Sequence, residues 1–334
     1  MRLTMNPVFV FTLLLGVVLV FSAQAEPSNT AQHHTVQVDG HALHLARWGK
    51  PQQDLPTVIL LSGPIDTWHS DTAWFAALAP RLASSHEVVA IDRAGLVLGT
   101  PDARVGYQHF VHDLSLLLPQ LGIKRAIVVA FASSNISLQL LVNGPAAGVI
   151  DKAIMIDPDV LTPFSIARYK NDARPFKDNL DAYVSFIQDG KYSPRVEQKN
   201  ATDWAQLTAL QSLDSDTDWD YAKYLFAARL TINNQVNLFR EIAMYGEDLD
   251  AVAATTWPAT IVLRIVDTDF ETAYITQSPV GDEREGLIKW QQDAYEYYQR
   301  LSNATADGRY IHTTQASHLY QFAEVDALLA LIRE

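Results

Sequence analysis

Short runs rich in Val and Ile recur along this chain, separated by segments whose apolar residues fall on one helical face. That alternation constrains the fold more than any other feature. Thr57 to Leu61, Glu87 to Ile91 and Ala126 to Phe131 are apolar nearly throughout, as strands buried on both faces must be. Lys152 to Ile156, Thr260 to Val266 and Arg309 to Thr313 continue the series, and Thr35 to Val38 with Leu43 to Ala46 reads as an opening antiparallel hairpin. Between them, Phe110, Leu114, Leu117, Leu118 and Leu121 share a helical face. Leu287, Trp290, Ala294, Tyr297 and Leu301 do the same, as do Phe322, Val325, Leu329 and Ile332 near the end. The expectation is an α/β fold with a mostly parallel central sheet covered by helices on both faces.

Residues 161–256 break this rhythm. They are polar and aromatic, with Tyr169, Phe176, Tyr183, Trp204, Trp219, Tyr224 and Phe239 at helical spacing and no convincing strand. They read as a helical insertion into a core made of residues 26–160 and 257–334. Its aromatics are expected to be core more often than binding wall.

The first 25 residues read as an export signal. Arg2 supplies the positive end, Val8 to Phe21 the apolar run, and Ala23-Gln24-Ala25 a small-x-small cleavage site before Glu26. At about 14 residues the run falls short of the roughly 20 a membrane span needs, so a retained anchor is the lesser alternative. No other stretch is apolar enough to span a bilayer, and a periplasmic location is expected. The chain has no cysteine, which excludes lipid attachment through cysteine, disulfides, thiolate metal sites and a cysteine nucleophile. Its net charge of −13, with no basic cluster, disfavours nucleic acid as a partner. A small molecule is the expected ligand, with no cofactor. His109 and His112 lie three apart with Asp113 adjacent, and His33 and His34 sit near the expected mature start; neither set has further ligands at a spacing that closes a metal site.

Leu121 to Asn135 reads LGIKRAIVVAFASSN. It resembles, without a gap, the helix end, strand and nucleophile elbow of the α/β-hydrolase superfamily, in which small residues must flank the nucleophile at two before and two after. Ala130 and Ser134 meet that demand, and the nucleophile slot falls on Ala132. Other landmarks follow in order. Leu60-Leu61-Ser62-Gly63 looks like the strand end carrying the oxyanion loop, Ile91-Asp92-Arg93-Ala94-Gly95 like the Asp-Arg-x-Gly turn, and Trp257-Pro258 like the lead into the strand before the acid. Ser317-His318 stands where the family places its catalytic histidine, and the helical insertion occupies the position of the cap.

The resemblance implies serine-esterase-type hydrolysis of a small molecule, with His318 as base and Asp267 as the acid; Asp269 and Asp157 are the alternatives. Alanine has no group that attacks a carbonyl, so ordinary serine catalysis is in doubt. Ser133 and Ser134 are the substitute nucleophiles, although either register puts Phe131 or Ile136 where a small residue is required. Their other reading is N-capping of the next helix. The oxyanion donors implied are the N–H of Ser133 and that of position 64, which is Pro64 and has none, so that Ile65 would have to serve instead. Trp68, His69 and Phe131 are candidate ligand contacts, with Asp71 a candidate cap for a helix starting near Ala73. A non-catalytic, ligand-binding relative of the same fold is the alternative function.

Overall fold

The computed structural model describes residues 29–63, 70–101, 103–313 and 317–334. The export segment, Pro64, Ile65, Trp68 and His69 therefore lie outside the described residues. Eight strands among the described residues form one sheet: β1 (Gln32–Val38), β2 (His41–Trp48), β3 (Thr57–Ser62), β4 (Val88–Ile91), β5 (Ala126–Phe131), β6 (Ile150–Ile156), β7 (Val262–Asp267) and β8 (Gly308–His312). Their order is β1-β2-β4-β3-β5-β6-β7-β8. β1 and β2 form an antiparallel hairpin, β2 runs antiparallel to β4, and every later pairing is parallel.

The apolar runs extend by two strand faces into two cores. Val58 and Leu60 of β3 join Val129 and Phe131 of β5 on one face, under α1 (Leu78–Leu82), where Val325, Leu328 and Ile332 also pack. Ile59, Leu61, Val128 and Ala130 point the other way, against α2 (Tyr107–Gln120) and α3 (Ser134–Leu141) and against Ala294, Tyr297 and Leu301. Side chains alternate along a strand, so burial on both faces leaves only apolar residues between Thr57 and Ser62 of β3 and throughout β5. β1 is longer than its apolar pattern predicts. Gln32, His33 and His34 are exposed, and backbone pairing with Arg47, Ala46 and Leu45 carries the strand over them.

Between β6 and β7 the chain is helical: α4 (Pro163–Asp178), α5 (Leu180–Gln188), α6 (Ser193–Leu210), α7 (Trp219–Arg229) and α8 (Ile232–Ala253). Two buried arginines hold this insert to the body. Arg229 of α7 donates to both oxygens of Asp71 at 2.6 and 2.9 Å, and its guanidinium lies 3.9 Å from the centre of the Phe226 ring. Arg93 donates to both oxygens of Glu241 in α8, at 2.7 and 2.8 Å, with its guanidinium over Tyr107. Asp71 also accepts from the N–H of Ala73, capping a short helical turn, Thr72–Phe75, as its spacing suggests. After β7 come α9 (Glu271–Gln277) and α10 (Asp282–Asn303), and after β8 come α11 (Tyr320–Ala323) and α12 (Val325–Arg333). Among the described residues no helix is long and apolar enough to cross a membrane.

Strand order reverses between β3 and β5: β3 leads outward to β4 on one side, and β5 leads to β6 on the other. In open parallel sheets a crevice forms at such a point, beyond the carboxyl ends of the strands. Ser62, Phe131 and Ile156 end three adjacent strands there.

Candidate active site

Three backbone kinks mark this edge. Ala132, Asp157 and Asp269, just past β5, β6 and β7, have φ of 51°, 43° and 56°, a left-handed conformation that side chains with a Cβ disfavour. At Ala132 the kink turns β5 directly into α3, and the N–H of Ala132 still donates to Ile156 at 2.9 Å. Gly63 follows β3 at the same level. A Cβ there would fall 2.3 Å from the backbone nitrogen of Ser134 and 2.6 Å from that of Ser133, so only glycine allows the strand end to approach the elbow.

The elbow presents a methyl group. Ser134 offers no substitute, because its hydroxyl is fully buried and donates to the carbonyls of Leu61 and Phe131 at 2.9 and 2.8 Å, fastening the turn to β3. Ser133 does border the crevice. Its hydroxyl is hydrogen-bonded to the Asp159 carboxyl and lies 3.4 Å from the hydroxyl of Tyr245, which itself donates to Asp159. Neither serine caps α3: Ser133 occupies the cap position but its hydroxyl makes no bond to the helix backbone, and Ser134 points back to the strand. Ser133 therefore also carries the first N–H of that helix, where an oxyanion donor was expected.

His318 is brought to Asp157, with Nδ1 2.7 Å from Oδ2. The acid expected first, Asp267, goes elsewhere, and this corrects that pairing. Its Oδ2 accepts from the Tyr310 hydroxyl at 2.5 Å and sits 3.2 Å from Nδ1 of His312, while Oδ1 accepts from the N–H of Asp269. Asp269 is occupied by Gln291 and Tyr295 at 2.7 and 2.5 Å. The reason lies at the strand ends. The kink at Asp157 turns its carboxylate inward, where the N–H and hydroxyl of Thr268 hold it at 2.7 and 2.6 Å, whereas Asp267 faces β8. Burial raises the pKa of Asp267, and the Tyr310 hydrogen bond opposes that shift.

The imidazole of His318 lies between two phenyl rings, Phe270 at 4.1 Å and Phe131 at 4.9 Å between ring centres. Phe131 is fully buried behind the histidine and does not line the cavity, so it positions the ring and is not a ligand contact. Asp157, an acceptor, sets the proton on Nδ1. Nε2 has no hydrogen-bond partner among the described residues.

Above the elbow is a cavity of about 330 Å³ between the sheet edge, α4, α8, α9 and α10, with Ala132, Ser133, Asp157 and His318 in its wall. The groups that sequence reasoning missed are those the turn after β6, the insert and α9 bring in. Tyr169 of α4 accepts from the N–H of Val160 at 3.2 Å and from the indole N–H of Trp290 at 2.9 Å. Both lone pairs of its hydroxyl are filled, leaving its proton to donate. Tyr245 and Asp159 form the pair over Ser133, and burial pushes the Asp159 carboxyl up. Glu271, 2 % exposed, has its Oε2 without a partner among the described residues. Tyr169 was visible as an insert aromatic, but nothing in the spacing marked it as wall and not core. Asp159 follows Asp157 by two residues and carried no motif. Among the described residues no group of three or more metal-ligating side chains is placed to hold an ion; His33 lies 3.0 Å from His44, and His112 3.3 Å from Asp39.

A family model described as "Alpha/beta hydrolase family" matches residues 58–331. No curated protein sequence matches the chain. Among solved structures, wild-type Cfl2 from Burkholderia cenocepacia is similar at TM-score 0.56 and 17 % identity, over 91 % of this chain and 95 % of that one. Epoxide hydrolase VrEH1 from Vigna radiata aligns at TM-score 0.57 and 17 % identity, over 91 % and 97 %. An α/β hydrolase fold protein from Burkholderia ambifaria aligns at TM-score 0.54 and 19 % identity, over 90 % and 99 %. At these identities the structural likeness speaks for the fold alone. The family match over most of the length, on a sheet of this order with its elbow after β5, leads to one conclusion: the chain belongs to the α/β hydrolase family.

Proposed function

We propose that this protein takes a small, largely apolar molecule into the cavity and that His318, held by Asp157, acts on it as a general base without a covalent enzyme intermediate. The observation that carries this reading is the combination of a 2.7 Å His318–Asp157 pair with a methyl group at position 132. Nε2 would take a proton from a bound water or from the ligand, and Asp157 would stabilise the imidazolium that results. An attack by water needs an electrophile. The neighbours named as epoxide hydrolases make a strained ether, such as styrene oxide, the first to try beside simple esters.

The test has two arms. The wild-type chain should resist labelling by a serine-reactive fluorophosphonate, and labelling at Ser133 would overturn the reading. Ala132→Ser should acquire labelling and p-nitrophenyl acetate hydrolysis, and adding His318→Ala should then remove a factor of about 10³ or more from that rate. Equal rates with and without His318 would sink the dyad. A second reading is favoured by the hold of Asp159 and Tyr245 on Ser133: a member that binds its ligand and does not turn it over. Saturable binding to wild type with no turnover of esters or epoxides would select it.

We also propose that the chain is exported and acts in the periplasm, on the strength of Arg2, the Val8 to Phe21 run and Ala23-Gln24-Ala25. Sequencing of the secreted form should begin at Glu26; a mature protein beginning at Met1 in the cytoplasm would refute it.

A further inference from the structure

Glu271 is a cavity group whose placement the dyad does not explain. It opens α9 immediately after Phe270, the ring that covers His318, and its side chain lines the same cavity. The residue is 2 % exposed, its own backbone N–H donates to the carboxyl, and Oε2 has no partner among the described residues. A carboxylate left this way forfeits most of its hydration, which no protein would sustain without a compensating ligand or a proton.

Arg168 of α4, whose guanidinium lies over the Trp290 ring, and His318 line the same cavity, but the charged groups that act most on Glu271 are acidic. Asp157 stands at the end of β6 and Asp267 at the end of β7, with Asp269 in the turn before α9. Tyr169 from α4 and Tyr298 and Tyr295 from α10 add phenols, as does Tyr310 from β8; all four feel Glu271 as a neighbour that discourages their ionisation. Burial first, and then these three aspartates, push the Glu271 carboxyl up to about 8.

Building on the non-covalent reading above, we propose that Glu271 serves as a neutral carboxylic acid that donates a hydrogen bond to an acceptor oxygen of the cavity's occupant. It thereby selects uncharged, oxygen-bearing ligands and turns away carboxylates. Tyr169, with both lone pairs filled and its proton unspent, lines the same cavity and supplies a second donor of the same preference. The ligand class that fits is a small amide, ester, ketone or ether with an apolar body.

Phenylacetamide and phenylacetate are a matched neutral and anionic pair for the test, with binding to the chain followed by NMR titration. Phenylacetamide affinity in wild type should fall about tenfold between pH 7 and pH 9, as the donor loses its proton. Glu271→Gln keeps an N–H donor that does not titrate and should hold its affinity within about twofold over that range. Phenylacetate should bind wild type at least tenfold more weakly than the amide at pH 7. Wild-type affinity that is flat to pH 9, or equal binding of the two probes, overturns the proposal. A readout independent of any probe is the carboxyl carbon of Glu271, assigned by its loss in Glu271→Gln. A midpoint near 8 supports the proposal, and one below about 6 overturns it whatever the probes do. A wild-type chain that gives these binding and titration results yet turns over no ester or epoxide would overturn the general-base reading and leave this one standing.

Discussion

Ala132 sits at φ 51° and so bears the conformational penalty of a left-handed residue in the sharp turn from β5 into α3. For an L residue the left-handed region costs roughly 1–2 kcal/mol, and glycine is free of it. Ala132→Gly should therefore leave the fold intact and raise unfolding stability by up to about 1 kcal/mol, part of the gain being lost to the greater entropy of an unfolded glycine. Urea unfolding measures this, and a loss of more than about 1 kcal/mol would mean that the methyl itself is a packing group. The elbow could be read in the sequence because it needs small residues at fixed positions, and Ala130, Ser134 and Gly63 supply them. The acid could not. Asp157, Asp267 and Asp269 all follow strands, and only the direction of the kink after each strand decides which carboxylate meets His318. No residue pattern encodes that direction, since left-handed φ falls on aspartates at two of the three positions.

At the level of elements, the strands of the central sheet were legible because burial on both faces leaves them apolar without interruption. β7 starts at Val262, two residues later than the Thr260 to Val266 run suggests, since Thr260 and Ile261 still belong to the approach from the Pro258 turn. The helical insert was legible as a break in rhythm, but its attachment was not: Arg229 and Glu241 look like any charged helical residues in sequence. Arg229 is 2 % exposed and lies among Asp71, Asp203, Phe226 and Trp74. Replacing it with methionine would fill much of the space while leaving Asp71 buried without its cation; Asp203 would keep Lys199. Such half-broken buried pairs cost about 3–5 kcal/mol. Arg229→Met should lose that much stability in urea, and α6 and α7 should gain amide exchange before the sheet does. Wild-type stability in this variant would show that the insert is held to the body by the apolar packing of its own Leu207, Trp219 and Leu225 alone.

The whole molecule carries an acidic surplus, and where that charge is buried decides how its stability responds to pH. Asp113, Asp159, Asp248, Asp267 and Glu271 all have their pKa raised, in each case chiefly by burial. A raised folded-state pKa means the native state binds more protons than the unfolded chain between the two values, so stability falls as pH rises through that window. For Glu271 the window runs from the ordinary glutamate value of 4.5 to about 8. His33, His34 and His86 act in the opposite sense, through partial desolvation of their rings, and lose stability as pH falls below 6.5. The two trends cross on the acid side of neutrality, which is where the wild-type maximum should lie. Glu271→Gln removes the Glu271 contribution while preserving the shape of the side chain. Relative to wild type it should therefore gain stability steadily from pH 5 to pH 8.5, reaching on the order of 3–5 kcal/mol at the upper end, and gain nothing further above that. Urea midpoints across this range measure the difference. A constant offset between the two proteins at all pH values would mean that the Glu271 carboxyl ionises in the folded state as it does in the unfolded one. The sheet edge would then hold a fourth negative charge among Asp157, Asp267 and Asp269, and the cavity would favour a cationic occupant over a neutral one.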